Sequence, residues 1–263
     1  MVCKIVHTNL KLTEGMIASI KINQNTFNVD FSKPLDISIP LRGGMENVNA
    51  FFIPPVKYDP FKAGNFIGDV NQGGSCNVFS ISFNPHGNGT HTETVGHISS
   101  EKYPIYKCLL RFFFESKLIS IDPEIISGDR IITRKQLEEK LNGKCPEALI
   151  IRTLPNSDEK ITAQYSGTNP PYMEENAARY LRDLSLKHLL LDVPSIDRED
   201  DNGKLLAHHT FWNYPGKPRV DCTISELIYV VDNIQDGNYL LNLQVVSFDN
   251  DASPSKPVLY ALE

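Results

Sequence analysis

Between Thr133 and Asp192 the hydrophobic period of the chain alternates between that of a helix and that of a buried strand, and this restricts the fold to the α/β class. Thr133 followed by Gln136 is a capping-box pair, so the sequence predicts a short helix from Arg134 to about Leu141 that stops near Gly143. After Pro146, Glu147–Arg152 reads as a buried strand. From Met173 to Leu184 the residues Ala177, Tyr180, Leu181 and Leu184 recur at helical spacing behind Glu174 and Glu175, acids that suit a helix N-terminus. Leu189–Asp192 is a further short strand, broken by Pro194. Strands and helices in alternation bury their apolar faces as a sheet with helices layered on it.

The flanks read as strand and loop. Ile17–Ile22 and Asp36–Leu41 alternate apolar and polar residues, and so does Cys76–Phe83. Arg42–Gly74 is rich in Gly, Pro, Asn and Phe and reads as loop. Ile105–Phe114 fits either helix or buried strand, Leu118–Ile121 fits a strand, and Ser127–Gly128–Asp129 is a turn. Glu226–Val231 and Tyr239–Phe248 are again strand-like. With no repeat and no obvious linker, one domain over residues 1–263 is the expectation.

Composition narrows the function classes. The 263 residues carry 26 Lys and Arg against 32 Asp and Glu, a formal net charge of −6, whereas nucleic-acid backbones select basic surfaces. No nucleic-acid partner is therefore expected. No apolar stretch follows Met1–His7 and none elsewhere is long enough to span a bilayer, so neither a signal peptide nor a membrane partner is expected. The five cysteines (Cys3, Cys76, Cys108, Cys145 and Cys222) are widely spaced with no C-x-x-C pair, which suits free thiols in the cytoplasm.

The chemistry concentrates in histidines. His86, His91 and His97 fall in one short stretch with Glu93. If residues 90–94 are extended, His91 and Glu93 point to the same side, and the glycine turn Gly87–Asn88–Gly89 lets His86 fold back to join them. Imidazoles with a carboxylate form a ligand set for Zn²⁺ first and Mn²⁺ second. A surface loop with chance histidines is the plain alternative. A phosphate-cradling loop is weaker, because no Lys follows in the required place. A second pair, His208–His209, precedes Phe211–Trp212, and Glu226 lies downstream; such a pair can equally be a packing feature.

These residues resemble a known family. His86…Gly89–Thr90–His91–Thr92–Glu93…His97 is similar to the H-x-G-T-H-x-D-x-P-x-H signature of the cyclase / kynurenine formamidase-like metal-dependent hydrolases. In order along the chain, Asp36–Leu41 resembles the family's D-L-S-x-P-L segment, Leu149–Thr153 its L-I-R-T strand, and Leu190–Asp197 its G-I-D-x-P-S-I-D segment. The likeness spans about residues 30–260. Three departures stand out: one extra residue between His86 and Gly89–Thr90–His91, Glu93 in place of Asp, and Val95 in place of Pro. The stretch from His208 to Glu226 is also longer than usual and contains Pro215, Gly216 and Pro218.

The resemblance implies a swivelling β/β/α domain, with a mixed β core and flanking helices, that hydrolyses an amide or similar carbonyl bond with a divalent metal. Carried over residue by residue, it implies His86, His91 and Glu93 as metal ligands and His97 as the acid/base. His208, in preference to His209, is implied as a later ligand, and Glu226 as a ligand or a partner in the proton transfer. Arylformamidase chemistry of the N-formylkynurenine type comes first, with opening of a cyclic amide or ester close behind. A non-catalytic ligand-binding protein on the same scaffold and a structural zinc protein are the alternatives. The implied partner is a small aryl or cyclic substrate, with a homodimer or homotetramer as the assembly; Phe51, Phe52 and Trp212 are candidate pocket residues, with plain core or interface packing an equal reading for each.

Overall fold

The computed structural model describes residues 15–263, so the readings made on Met1–His7 and Cys3 lie outside the described residues. Its centre is a closed barrel of seven strands. In spatial order these are Gly237–Val245, Phe113–Ile121, Ala148–Thr153, His188–Leu191, Thr223–Glu226, His91–Glu93 and Ala252–Ala261, the last pairing back onto the first. The four from Phe113–Ile121 to Thr223–Glu226 run parallel and the other three pair antiparallel. A two-residue strand, Leu35–Asp36, adds to the outer edge of Ala252–Ala261. This mixed core with flanking helices is the expected α/β class.

The parallel strands read as unbroken apolar runs because both of their faces are covered. Leu149, Ile151, Leu189, Leu191 and Ile224 pack outward against Leu137, Ala177, Ala178, Leu181, Phe211 and Trp212 of the helices Arg134–Leu141, Glu175–Asp183 and Leu206–Trp212. Ala148, Ile150 and Leu190 pack inward with Leu118, Leu241 and Leu259. The first helix carries the capping box foreseen at Thr133 and Gln136 and ends in left-handed Asn142. The Ser127–Gly128 turn closes the hairpin of Glu124–Ile126 with Asp129–Ile132, both turn residues having positive φ.

Several elements differ from expectation. Asp36–Leu41 is not a strand throughout, because the Asp36 carboxylate accepts from Ser38 N and Oγ (2.9 and 2.6 Å) and bends the chain out of the sheet. Only an isolated bridge from Ser38 to Ile228 continues it. Arg42–Gly74 is not wholly irregular: Lys57–Pro60 pairs with Phe79–Ser82, and Lys62–Ala63 with Phe66–Ile67. Met173 belongs to a short strand paired parallel to Ile132, so the helix begins at Glu175. The strand expected over Glu226–Val231 ends at Glu226, because Leu227 takes a left-handed conformation (φ 53°). Ile105–Cys108 is one helical turn and Phe113–Ile121 a strand. The strand Ala252–Ala261 was not anticipated; Pro254 and Pro257 give its sequence the look of a loop.

Candidate metal centre

The strand His91–Glu93 lies between Thr223–Glu226 and Ala252–Ala261, and this register builds the centre. Glu226 stands opposite His91, Ile224 opposite Glu93 and Ala252 opposite Glu93. Directly paired residues project to the same face of a sheet, so His91, Glu93 and Glu226 share one face. Thr92 points to the other side, where its hydroxyl meets Ser225 Oγ at 2.7 Å.

His86 arrives from the short helix Pro85–Asn88, whose start is capped by Asn84 accepting from His86 N (3.0 Å). Gly87 permits this turn to pack tightly: a Cβ there would lie 2.9 Å from the Ala50 carbonyl oxygen. The extra residue relative to the family signature is absorbed here, and His86 Nδ1 still comes within 3.0 Å of Glu93 Oε2. His97 ends a 3₁₀ turn, Val95–His97, capped by Thr94, and sets its Nδ1 3.7 Å from the same Glu93 oxygen.

His208 comes from the helix Leu206–Trp212. The Asp197 carboxylate accepts from Ala207 N and His208 N (2.8 and 3.0 Å), and also takes His208 Nδ1–H at 2.6 Å. The far nitrogen, Nε2, is thereby aimed at Glu93 Oε1 (3.1 Å) and Glu226 Oε1 (3.8 Å). His209 turns away, its Nδ1 lying 3.1 Å from the Tyr214 carbonyl oxygen. Glu226 Oε1 accepts from Ile196 N at 2.9 Å, which leaves Oε2 for the centre, 3.5 Å from His91 Nε2.

Two atoms test whether this donor set fits an ion. His91 donates Nδ1–H to the Gly89 carbonyl oxygen (3.0 Å), so its Nε2 carries the free lone pair. That Nε2 and Glu93 Oε2 are both buried without a hydrogen-bond partner, and His86 Nδ1 faces the Glu93 oxygen from 3.0 Å as a further potential donor to an ion. Unpaired buried donors and acceptors are costly in an interior. Here a lone pair and a carboxylate oxygen converge from 4.0 Å apart, as a divalent cation requires. Two overlapping ligand groups form around Glu93: His86, Glu93 and His97, and His91, Glu93 and Glu226. The residues present fit a metal.

The electrostatics agree. Burial disfavours a charged His208, but Asp197 and Glu93 outweigh it and raise its pKa to about 10. Burial likewise opposes a charged His86, and Asp251 and Glu93 raise it to about 10. Burial would push Glu93 up, but His97, His208 and His86 hold it well below the usual carboxylate range. Without an ion, protons on the imidazoles balance the carboxylates.

A cavity of about 280 Å³ opens over the centre, bounded by Phe51, Ser195, Arg198 and Leu205 together with His86, Glu93, His97, His208 and Glu226. Of the aromatics expected to line it, only Phe51 does. Phe52 is 79% exposed. Trp212 is fully buried behind His208, ring centroids 5.5 Å apart, with Nε1–H given to the Cys222 carbonyl oxygen; it belongs to the core, in the same buried cluster as Phe211, Cys222 and Ile224. Two residues at the site escaped sequence reasoning. Asp197, which fixes His208, lay in a recognised segment but had no assigned role. Asp251, 2.9 Å from His86 Nε2, precedes the strand whose prolines concealed it.

Comparison with known proteins bears on the family and the fold. The kynurenine formamidase of Bacillus thuringiensis (strain Al Hakam) is 28% identical over 197 residues, covering 72% of this chain and 82% of that protein. The kynurenine formamidase of Bacillus anthracis is 27% identical over 237 residues, covering 87% and 97%. An isatin hydrolase crystallised with the product analogue thioisatinate shares the fold, with a TM-score of 0.65 at 15% identity over 88% of this chain and 93% of that one. The family model for Cyclase ("Putative cyclase") matches residues 29–198, more than half of the sequence. The chain belongs to the cyclase family.

Proposed function

We propose that the protein is a metal-dependent hydrolase of carbon–nitrogen bonds other than peptide bonds, and that it opens an arylformamide of the N-formylkynurenine type. The observation that carries this reading is the convergence of His91 Nε2 and Glu93 Oε2, buried and without hydrogen bonds, beneath a cavity that holds an acid/base imidazole at its edge. The likeness to kynurenine formamidases supports the formamide. The likeness to isatin hydrolase supports opening of a cyclic amide as the close alternative. A cavity of about 280 Å³ suits a substrate of one or two rings.

His86, His91, Glu93, His208 and Glu226 would hold the metal, Zn²⁺ first and Mn²⁺ second, through imidazole and carboxylate donors. A bound ion of this kind polarises the substrate carbonyl and lowers the pKa of water. His97, its side chain 29% exposed, takes a proton from the attacking water and returns it to the leaving nitrogen. Asp197 keeps His208 in one orientation, and Ile196 N–H holds Glu226 by one oxygen. Phe51 supplies an apolar wall against an aryl ring.

The reading extends to a cytoplasmic enzyme acting as one unit over residues 1–263. The four cysteines among the described residues are free, which agrees with a reducing compartment, and no helix described is long and apolar enough to cross a membrane. A homodimer or homotetramer is supported by the exposed apolar side chains Tyr58, Phe79 and Ile81 on one two-stranded sheet. The test is elemental analysis of the purified protein followed by assay against arylformamides, cyclic amides and lactones. A full equivalent of Zn²⁺ or Mn²⁺ with turnover of an arylformamide is expected. Metal retained with no turnover of any of the three would overturn the enzymatic reading.

A further inference from the structure

We propose that Asp251 is a positioning residue for the metal centre, holding His86 by Nε2–H so that its Nδ1 faces Glu93. The proposal rests on the reading above in taking His86 as a ligand. An imidazole that offers one nitrogen's lone pair carries its proton on the other nitrogen. A ligating histidine accordingly gives that N–H to a carboxylate or carbonyl, which fixes the ring and makes the donor nitrogen more basic.

Two imidazoles of the centre already show such an acceptor at the far nitrogen. His91 Nδ1 has the Gly89 carbonyl oxygen at 3.0 Å, and His208 Nδ1 has Asp197 at 2.6 Å. His86 is reversed: Nδ1 faces Glu93 Oε2 at 3.0 Å and Nε2 faces Asp251 Oδ2 at 2.9 Å. Asp251 thus completes the set, one far-side carboxylate or carbonyl for each of the three imidazoles read as ligands. Asp251 lies on the Nε2 side of His86, across the ring from the Nδ1 that faces Glu93.

The backbone sets Asp251 firmly. It immediately precedes Ala252, which pairs with Glu93, and its carbonyl oxygen accepts Thr94 N at 3.1 Å. Gly96 makes room for it, since a Cβ at that position would lie 3.0 Å from Asp251 Cβ. Asp251 Oδ2 also lies 3.6 Å from His97 Nδ1, so the same carboxylate borders the acid/base. The turn that carries His86 and the end of the Ala252–Ala261 strand are therefore coupled at the site, although His86 and Asp251 stand 165 positions apart in the chain.

A double-mutant cycle read by Zn²⁺ affinity, measured by chelator competition, tests the proposal. Asp251→Asn should weaken Zn²⁺ binding by roughly 10–100-fold in the native background. In a His86→Ala background the same change should cost about twofold or less, since the group it acts through is gone. If Asp251→Asn leaves affinity unchanged, or costs as much with His86 absent as present, the positioning role is wrong. Asp251→Ser, run through the same cycle, replaces Asp251→Asn if the latter fails to fold. The two readings fail differently. Native protein that shows the coupled loss of affinity but hydrolyses no amide or lactone overturns the hydrolase reading alone. Native protein that takes up no Zn²⁺ overturns both.

Discussion

His91 and Glu226, 135 residues apart in the chain, stand directly opposite each other on paired antiparallel strands, with Nε2 and Oε2 3.5 Å apart. His91 Nε2 is buried and has no hydrogen-bond partner. His91→Ala should therefore abolish metal retention, because loss of an imidazole from a small, preformed ligand set removes much of the binding energy. Elemental analysis of the purified variant checks this. A full equivalent of metal in it would remove His91 from the ligand set.

His208 and His209 should respond differently to substitution. His208 reaches the centre and is buried, whereas His209 is occupied with the Tyr214 carbonyl oxygen. His208→Ala should lower metal affinity by at least one to two orders of magnitude, roughly 10–100-fold being the effect of a supporting partner alone. His209→Ala should leave it nearly unchanged. Chelator competition on the two variants side by side distinguishes them, and equal small effects would return the pair to ordinary packing.

Glu93 spans the centre with both oxygens, Oε1 to His208 at 3.1 Å and Oε2 to His86 at 3.0 Å. Glu93→Asp restores the residue of the family signature but shortens this reach by one methylene. Because His86 sits on a turn with one extra residue, the shorter carboxylate should bind metal more weakly than the native glutamate, by about tenfold. Tighter binding in Glu93→Asp would show that the extra methylene is a defect and not an adaptation.

His97→Asn should keep the metal and the fold but lose about 10²–10⁴ in kcat, the usual contribution of a positioned acid/base. Metal content, thermal midpoint and kcat measured on one preparation decide the matter. Unchanged kcat with full metal would exclude the proton-transfer role, and lost metal would make His97 a ligand.

The pH dependence of the metal-free protein follows from His86 and His208. Their folded-state pKa values of about 10 lie above the ordinary 6.5, so the protonated imidazoles stabilise the fold fully below about pH 6.5. That contribution is lost as pH rises through about 10. A cation must displace the same protons, so Zn²⁺ uptake should release protons and tighten with rising pH over this window. Thermal melts from pH 6 to 10, with and without Zn²⁺, should show the metal-free midpoint falling and the metal-induced gain growing. A gain independent of pH would contradict the assignment.

Local physics explains what the sequence determined by itself. Thr133 and Gln136 satisfy backbone donors within one turn, so the helix they start was legible with its boundaries. Ala148–Thr153 and His188–Leu191 were legible as strands because burial of both faces demands unbroken apolar residues. The alternation of side chains along an extended segment places His91 and Glu93 on one face without knowledge of any neighbour. The choice of His208 over His209 came from family spacing; in the structure His208 Nδ1 meets the Asp197 carboxylate, whereas His209 Nδ1 faces the Tyr214 carbonyl oxygen.

What the tertiary structure decided is long-range register, which no local period encodes. Glu226 meets His91 only because two strands pair antiparallel in one particular alignment, and a slip of one residue would turn the glutamate to the opposite face. The strand Ala252–Ala261 closes the barrel despite two prolines, because its place is set by partners on both sides, and Asp251 reaches His86 only as a consequence of that closure. Trp212 is core and not pocket for the same reason: it lies one turn beyond His208 on the same face of its helix, and only the packing of that helix decides how far along the face the cavity reaches.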